Sequence, residues 1–496
     1  MASPTKAAPT HQANAPSAME SALVVASNRG PVRFERNEEG KLIPHRGSGG
    51  LVTVLAGVLE RDDATWVAAA VSEGDREVAL RGRRLEGAAQ RVRYVDIPAE
   101  RRDGFYNGIA NGILWFAHHY LWDIARTPSF GEQTEHDWAD YVEANRVFAR
   151  ALSSEAKHEP VFLVQDYHLT LVPAMLRQLV PEARILHFSH TPFAGRTYLR
   201  TLPVDMRESI LRGMLGADVV GFQGRQWGEN FLLSARDLDD VHVDIRARRA
   251  EVDGREVQIR SFPVAVGAQE IREAAASDRA ERLRTQIDRI RGDGKLLLRV
   301  DRLEPSKNIL RGFLALELLL QKYPEWRGRV VFLALLSPSR EDVPAYRDYA
   351  AECKAAAARI NASFGKEDWT PIVVKVQEDF TYAVAAYGLY DAMLVNPVHD
   401  GMNLVAMEGP VVNTRDGTLI LSRNAGAFGR LGRHSLAINP FDLSETAGAI
   451  REALEMPEEE RIRRARGLKR SSLAHTPATW LASQLRAIDE VRPPRE

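Results

Sequence analysis

The sequence predicts an α/β protein of two doubly wound domains. Short apolar runs rich in Val, Ile and Leu alternate with helical patterns along nearly the whole chain. The runs are continuous rather than alternating, which is the pattern of parallel strands covered on both faces. A polar, charge-alternating stretch near the middle separates the runs into two sets.

Met1 to Glu20 is rich in Ala, Pro, Thr and Ser and has no apolar h-region, so it reads as a disordered tail and not as a signal peptide. The first set of strand-like runs is Ala22 to Ala26, Trp66 to Val71, Val161 to Val164, Ile185 to Phe188 and Ala217 to Phe222. His242 to Arg260 reads as a hairpin turning at Asp253-Gly254, followed by an extended segment from Ser261 to Gly267. This puts the domain boundary near Gly267, with residues 21–267 as the first domain and 268–475 as the second. The second set is Leu296 to Val300, Val330 to Leu336, Ile372 to Val376, Ala392 to Val395 and Thr418 to Leu421. A basic helix from Glu458 to Ser472 and a last helix from about Pro477 to Val491, within 476–496, end the chain.

Composition narrows the function classes. With 496 residues, 45% hydrophobic and 27% charged, the chain has material for two real cores. Lys+Arg 66 against Asp+Glu 67 leaves a formal net charge of -1, without the basic footprint of a nucleic-acid or anionic-membrane binder. Runs such as Val330 to Leu336 are far too short to span a bilayer. The single cysteine, Cys353, excludes a disulfide framework and suits a reducing, cytoplasmic compartment. Oligomeric state stays open, a homo-oligomer included.

In open parallel sheets ligands bind beyond the C-terminal strand ends, so polar residues just after each run are the candidates. The first run ends in Ser27-Asn28-Arg29-Gly30, and glycines at Gly47, Gly49 and Gly50 would let backbone amides approach a phosphate. Gln165-Asp166-Tyr167-His168 and Ser189-His190-Thr191-Pro192-Phe193 end two more runs. Taken alone, Asp166 could be a helix cap and His190 a hydrogen-bonded loop histidine. Arg299-Val-Asp-Arg302-Leu-Glu-Pro-Ser-Lys307 offers a forked cation and a point charge before a helix from Asn308 to Leu320, suited to a diphosphate.

The most informative run is Asn396-Pro-Val-His-Asp-Gly-Met-Asn-Leu-Val-Ala-Met-Glu408. It reads as a strand ending at Asn396 and a helix starting at Gly401, with free amides to hold an anion and Glu408 two turns along. That is a candidate sugar-nucleotide site. His187 and His190 with Asp166 or His168 could instead ligate a metal, as could Asp237 and Asp239. His187 sits inside a strand and Asp237 at a helix end, so no metal and no cofactor is expected.

Asp400 to Glu408 closely resembles the donor-site signature of trehalose-6-phosphate synthases, retaining glucosyltransferases with the two-domain GT-B fold, and six motifs in family order extend the resemblance from Ala22 to about Pro440. It implies two Rossmann-like domains facing each other across a cleft, with the C-terminal helix crossing back onto the first. It implies a donor site of Gly49, Gly50, Arg302, Lys307, Gly401, Met402, Asn403, Leu404, Val405 and Glu408. The acceptor site would be Arg29, Tyr106, Trp115, Asp166 and Arg340, the aromatics coming from Phe105 to Tyr120. Asp166, His190, Arg302, Lys307 and Asp400 would act in catalysis, the leaving phosphate taking the proton in a front-face mechanism.

The implied reaction joins a nucleotide-diphosphate glucose to glucose 6-phosphate, and two alternatives are a pseudo-glycosyltransferase coupling cyclitols and an inactive sugar-phosphate-binding regulatory paralogue. His399 and Met407 replace basic residues common around the donor motif, and Trp66-Val-Ala-Ala-Ala lacks a second tryptophan found in many members. Met407 and Gly409-Pro410 beside Glu408 suggest an altered base slot, hence GDP-glucose at least as good as UDP-glucose.

Overall fold

The computed structural model describes residues 17–46, 55, 64–81, 91–157 and 159–492. The first half carries β1 (Leu23–Ser27), β2 (Val32–Arg36), β3 (Leu42–Arg46), β4 (Ala64–Ala69), β5 (Arg91–Val95), β6 (Val161–Gln165), β7 (Arg184–Ser189), β8 (Val219–Phe222), β9 (His242–Asp244), β10 (Arg249–Val252) and β11 (Arg255–Ser261). The second carries β12 (Lys295–Arg302), β13 (Val330–Ser337), β14 (Ile372–Val376), β15 (Ala392–Val395), β16 (Thr418–Ser422) and β17 (Leu436–Ile438). β2 and β3 form a separate antiparallel ribbon.

The large sheet runs β5-β4-β1-β6-β7-β8-β11-β10-β9, and the second runs β14-β13-β12-β15-β16-β17. β4, β1, β6 and β7 are parallel neighbours, as are β13, β12, β15 and β16. Strand order therefore reverses twice, between β1 and β6 and between β12 and β15. Loops leaving two such neighbouring strands diverge to opposite faces and open a crevice at their C-terminal ends. The chain is an α/β protein with two large, mainly parallel sheets, and the two crevices hold the candidate residues.

Every strand expected from a continuous apolar run is present, and most are buried on both faces: Leu23–Ser27 is buried at each position, as is Arg184–Ser189, while the edge strand Ile372–Val376 ends exposed. The strands not anticipated, β2, β3, β5 and β17, lie in the ribbon or at a sheet edge, where polar residues interrupt the apolar pattern. The expected hairpin turns at Asp253 and Gly254, both at positive φ, pairing Val252 with Arg255. Its second arm, β11, runs to Ser261 and is also a parallel neighbour of β8.

Gly104–Leu114 is a π-helix that continues as an α-turn, Trp115–His119. Gly104 and Gly108 bring it close against the helix Glu132–Ser153, where a Cβ would meet the side chains of Asp140 and Asp137. The last helix, Pro477–Val491, opens with a capping box between Thr476 and Thr479 and packs on the first sheet. There Trp480 donates to the Phe262 carbonyl at 2.9 Å and meets the Phe188 ring edge-on at 5.2 Å. Among the described residues no helix is long and apolar enough to cross a membrane.

Candidate active site

The first crevice is built around the end of β1. Trp66 donates to the Ser27 hydroxyl at 2.7 Å, and Ser27 donates to the Arg29 carbonyl at 2.7 Å, which pins the turn carrying Arg29. Arg29 donates to the Tyr106 hydroxyl at 3.1 Å, and the Tyr106 ring stacks on His168 at 5.8 Å. Burial alone would raise the Tyr106 phenol, but Arg29 and Arg340 bring it below its ordinary value.

At the end of β6, Asp166 adopts φ 74, and its carboxylate accepts the His190 amide at 3.1 Å. Burial pushes its carboxyl up to about 6, against the backbone amides that favour the anion. The His190 ring lies between two glutamines, Nε2 3.0 Å from Gln165 Oε1 and Nδ1 3.3 Å from Gln223 Nε2. Since Gln223 Oε1 accepts the Val264 amide, its Nε2 is the donor to Nδ1, and the imidazole proton sits on Nε2. Burial pulls His190 down to about 3, so the ring is neutral.

In the second crevice β12 ends at Arg302, and the chain passes through a 3₁₀ turn, Pro305–Lys307, to Asn308 at φ 58 and the helix Ile309–Lys322. Arg299, fully buried, fastens this loop by donating to the Lys307 carbonyl at 3.1 Å and to the Asn396 side chain. Asn308 in turn donates to the carbonyls of Asn396 at 2.9 Å and Pro440 at 2.8 Å. The loop therefore presents Lys307 to Asp400, with which it forms an ion pair. Burial would raise the Asp400 carboxyl, but Lys307 holds it below the ordinary carboxylate value, and Asn403 donates to it at 3.2 Å.

Between the crevices lies a carboxylate that the sequence reading did not single out. Glu304 is fully buried; Oε1 accepts from Arg302 at 3.1 Å and from Ser306 at 2.8 Å, and Oε2 from Ser339 at 3.1 Å and Arg340 at 3.4 Å. Burial alone would raise its carboxyl, but the arginines bring it to about 2. Arg340 also donates to Tyr346 at 2.7 Å and to Tyr167 at 3.1 Å. Both guanidiniums lie over Trp115, Arg340 at 4.0 Å and Arg302 at 5.2 Å from the ring centroid, so this tryptophan is a platform for cations as well as a buried ring.

The two halves meet at backbone level. A Cβ on Gly401 would collide with the His190 carbonyl, one on Gly426 would collide with the Gly401 carbonyl, and Trp227 donates to that same carbonyl at 3.3 Å. Tyr120 stacks on His399 at 4.2 Å beside this seam.

The sequence model of glycosyltransferase family 20 matches residues 21–490. The chain belongs to glycosyltransferase family 20. It is 33% identical over 467 residues to an α,α-trehalose-phosphate synthase [UDP-forming] of Schizosaccharomyces pombe, covering 92% of this chain and 88% of that one. It is 32% identical to a synthase of the same description from Aspergillus fumigatus, covering 95% and 91% of the two chains. Among solved structures, a UDP-forming α,α-trehalose-phosphate synthase from Burkholderia xenovorans in complex with glucose-6-phosphate superposes with TM-score 0.82 at 26% identity, covering 94% of this chain and 99% of that one. A structure from E. coli bound with UDP-2-fluoro glucose gives TM-score 0.82 at 26% identity, over 95% and 100% of the chains. This protein is a glycosyltransferase.

Two expectations about the donor loop of this family 20 glycosyltransferase need correction. The helix starts at Val405, not Gly401, because Asn403 takes φ 71 and caps the new helix by accepting the Ala406 amide at 3.1 Å. Glu408 therefore lies in the first turn rather than two turns along; it accepts from Tyr387 at 3.0 Å, and burial raises its carboxyl. Met402 is buried, and its carbonyl accepts the Ala427 amide at 2.8 Å, while Leu404 and Val405 are half-buried at the helix start. Met407 is fully buried, and Gly409 presses on Met393 and Tyr390, so these departures from the family pattern face the core. The glycines Gly47, Gly49 and Gly50 lie outside the described residues.

Neither metal alternative is favoured by the donor geometry. Asp237 is held by Arg196 at 2.8 Å and Arg200 at 2.9 Å, and His187 is fully buried inside β7. Among the described residues no group of three or more His, Cys, Asp or Glu side chains could hold a metal ion. Gln223 and Tyr346 escaped the sequence reading, while Gln165, Tyr167 and Glu304 stood in quoted runs without a role of their own. Glu304 stood inside the quoted Arg299 to Lys307 run, but a carboxylate beside cations looks the same in sequence as a surface ion pair.

Proposed function

We propose that this glycosyltransferase makes α,α-trehalose 6-phosphate from a nucleotide-diphosphate glucose and glucose 6-phosphate, with retention at the donor's anomeric carbon. The observation that carries the reading is the arrangement of cations: Arg302 and Lys307 on the loop after β12, and Arg29 in the first half with Arg340 reaching over from the second half to Tyr167, beside the His190–Gly401 seam where the halves meet. Two phosphate-bearing substrates facing one another need such a pair of sites. The names of the relatives and the ligands of the two solved structures support the same chemistry.

In this reading Arg302 and Lys307 stabilise the charge that develops on the departing diphosphate, together with the amides of the Gly49–Gly50 and Gly401–Val405 segments. Asp400 orients glucose hydroxyls, Glu408 the ribose and His190 the glucose ring. Arg29, Tyr106 and Arg340 hold the acceptor phosphate, Trp115 supports the arginine, and Asp166 positions the acceptor sugar. Asp400 is already committed to Lys307, so no attacking carboxylate is invoked. The bond from anomeric carbon to diphosphate oxygen breaks as the acceptor oxygen approaches the same face, through an oxocarbenium-like state. The acceptor's proton passes to the leaving phosphate oxygen.

UDP-glucose is the donor we favour. The GDP-glucose argument leaned on Met407 and Gly409-Pro410, which face the core, and the curated relatives are named UDP-forming. The single buried cysteine fits a cytoplasmic enzyme. Incubation with glucose 6-phosphate and UDP-glucose or GDP-glucose, followed by product analysis, tests the reading: α,α-trehalose 6-phosphate is expected with a higher kcat/KM for UDP-glucose. No disaccharide phosphate from either donor would refute it.

A further inference from the structure

We propose that Glu304 is a positioning residue that sets the aim of Arg302 and Arg340 together, so that one buried carboxylate aligns the donor and acceptor ends of the cleft. This rests on the assignment of Arg302 to the donor diphosphate and Arg340 to the acceptor phosphate.

The geometry is that of a staple. A carboxylate can accept about four hydrogen bonds, and Glu304 receives four: two on Oε1 from the loop after β12, through Arg302 and Ser306, and two on Oε2 from the turn after β13, through Ser339 and Arg340. Each oxygen serves one strand end. The Trp115 ring contributed by the first half lies under both guanidiniums. Two cations that would otherwise repel each other thus share one anion and one aromatic face.

The two arginines are not equally held. Arg340 is 10% exposed and takes four partners, Glu304, Tyr346, Tyr167 and the Trp115 face, whereas Arg302 is 46% exposed and has Glu304 and a looser contact with the ring. Glu304 is accordingly the main restraint on Arg302 and one of several on Arg340. Loss of the carboxylate should disturb the donor end more than the acceptor end. Its carboxylate is fully buried with its four hydrogen bonds taken by protein groups, so its effect has to pass through the arginines, and this makes the proposal separable from a general loss of structure.

The test is a pair of double-mutant cycles on the full chain. Glu304→Gln removes the charge, and Glu304→Asp keeps the charge but withdraws it by one methylene, so that position is tested apart from charge. Both should lower kcat by about tenfold or more, and both should reduce the preference for glucose 6-phosphate over glucose. The kcat loss should largely vanish in an Arg302→Ala background, and the loss of preference should vanish in an Arg340→Ala background. Losses that multiply unchanged in the double variants, or a Glu304→Asp enzyme with wild-type kcat and preference, would overturn the proposal. If Glu304→Gln does not fold, the Glu304→Asp cycles decide alone by the same criteria. A wild-type enzyme that makes no product from UDP-glucose or GDP-glucose with glucose 6-phosphate would instead overturn the functional reading.

Discussion

The Lys307 ammonium is ion-paired with the Asp400 carboxylate, joining the loop after β12 to the loop after β15 across the strand-order reversal. Each partner keeps the other charged although both are nearly buried: Asp400 stays below and Lys307 above its ordinary value despite burial. A cation held charged in such a place can answer leaving-group charge without reorganisation.

Arg302→Ala and Lys307→Ala should therefore each lower kcat by roughly a hundredfold or more. Lys307→Ala also strands a buried carboxylate, so it should lose stability as well, while Arg302, partly exposed, should cost little. Steady-state kinetics beside thermal melts check both; near-normal turnover in folded protein would remove these residues from the leaving-group site.

Replacing Arg29 or Arg340 should erase much of the preference for glucose 6-phosphate over glucose, because charge-assisted hydrogen bonds to the phosphate would be lost. Arg340→Ala should be the more destabilising, since Arg340 is nearly buried and its loss leaves Glu304, Tyr346 and Tyr167 each short of a partner. Comparing kcat/KM for the two acceptors settles it, and a preference that survives in both variants means another group reads the phosphate.

Asp166 should limit activity on the acid side. Its carboxyl is raised to about 6, so acceptor positioning by the anion should fade below about pH 6 and hold above it. Between an ordinary carboxylate value and about 6 the folded state keeps a proton that the unfolded chain has released, so this group lowers stability as pH rises through that window. Asp166→Asn should gain stability at neutral pH, by about 3 kcal/mol at most, while losing activity. A variant that is both less stable and fully active would contradict this.

Activity should persist in excess chelator, because in the proposed reading Arg302 and Lys307 take the role a divalent ion has in metal-dependent transferases. Assays with and without EDTA check this; complete loss restored by magnesium would bring Asp237 and Asp239 back into consideration.

Much of this architecture was legible in the sequence because strands buried on both faces write themselves as unbroken apolar runs, as in Val330–Ser337 and Ala392–Val395. Edge strands such as Arg91–Val95 do not, since one side of their ladder need not be apolar. Asp166, His190, Arg302 and Asp400 were findable because each follows such a run. Gln165, Gln223 and Glu304 were not, for their importance lies in what they bond to across the fold. The start of the helix at Val405 was missed because Asn403, a non-glycine residue, takes a left-handed conformation and delays the helix that had been expected from Gly401.

The stack of the His190 carbonyl, Gly401 and Gly426 has no side chain larger than hydrogen at either glycine. Its thickness is set by peptide units alone, which are the same in every protein. A side chain at Gly401 would pry the halves apart and one at Gly426 would displace the Gly401 loop, so new sugar or nucleotide preferences have little room to evolve through this layer. A directed-evolution library aimed at other donors would do best to hold positions 401 and 426 constant and spend its diversity on the side chains that border the layer, with His399 and Tyr120 first among them.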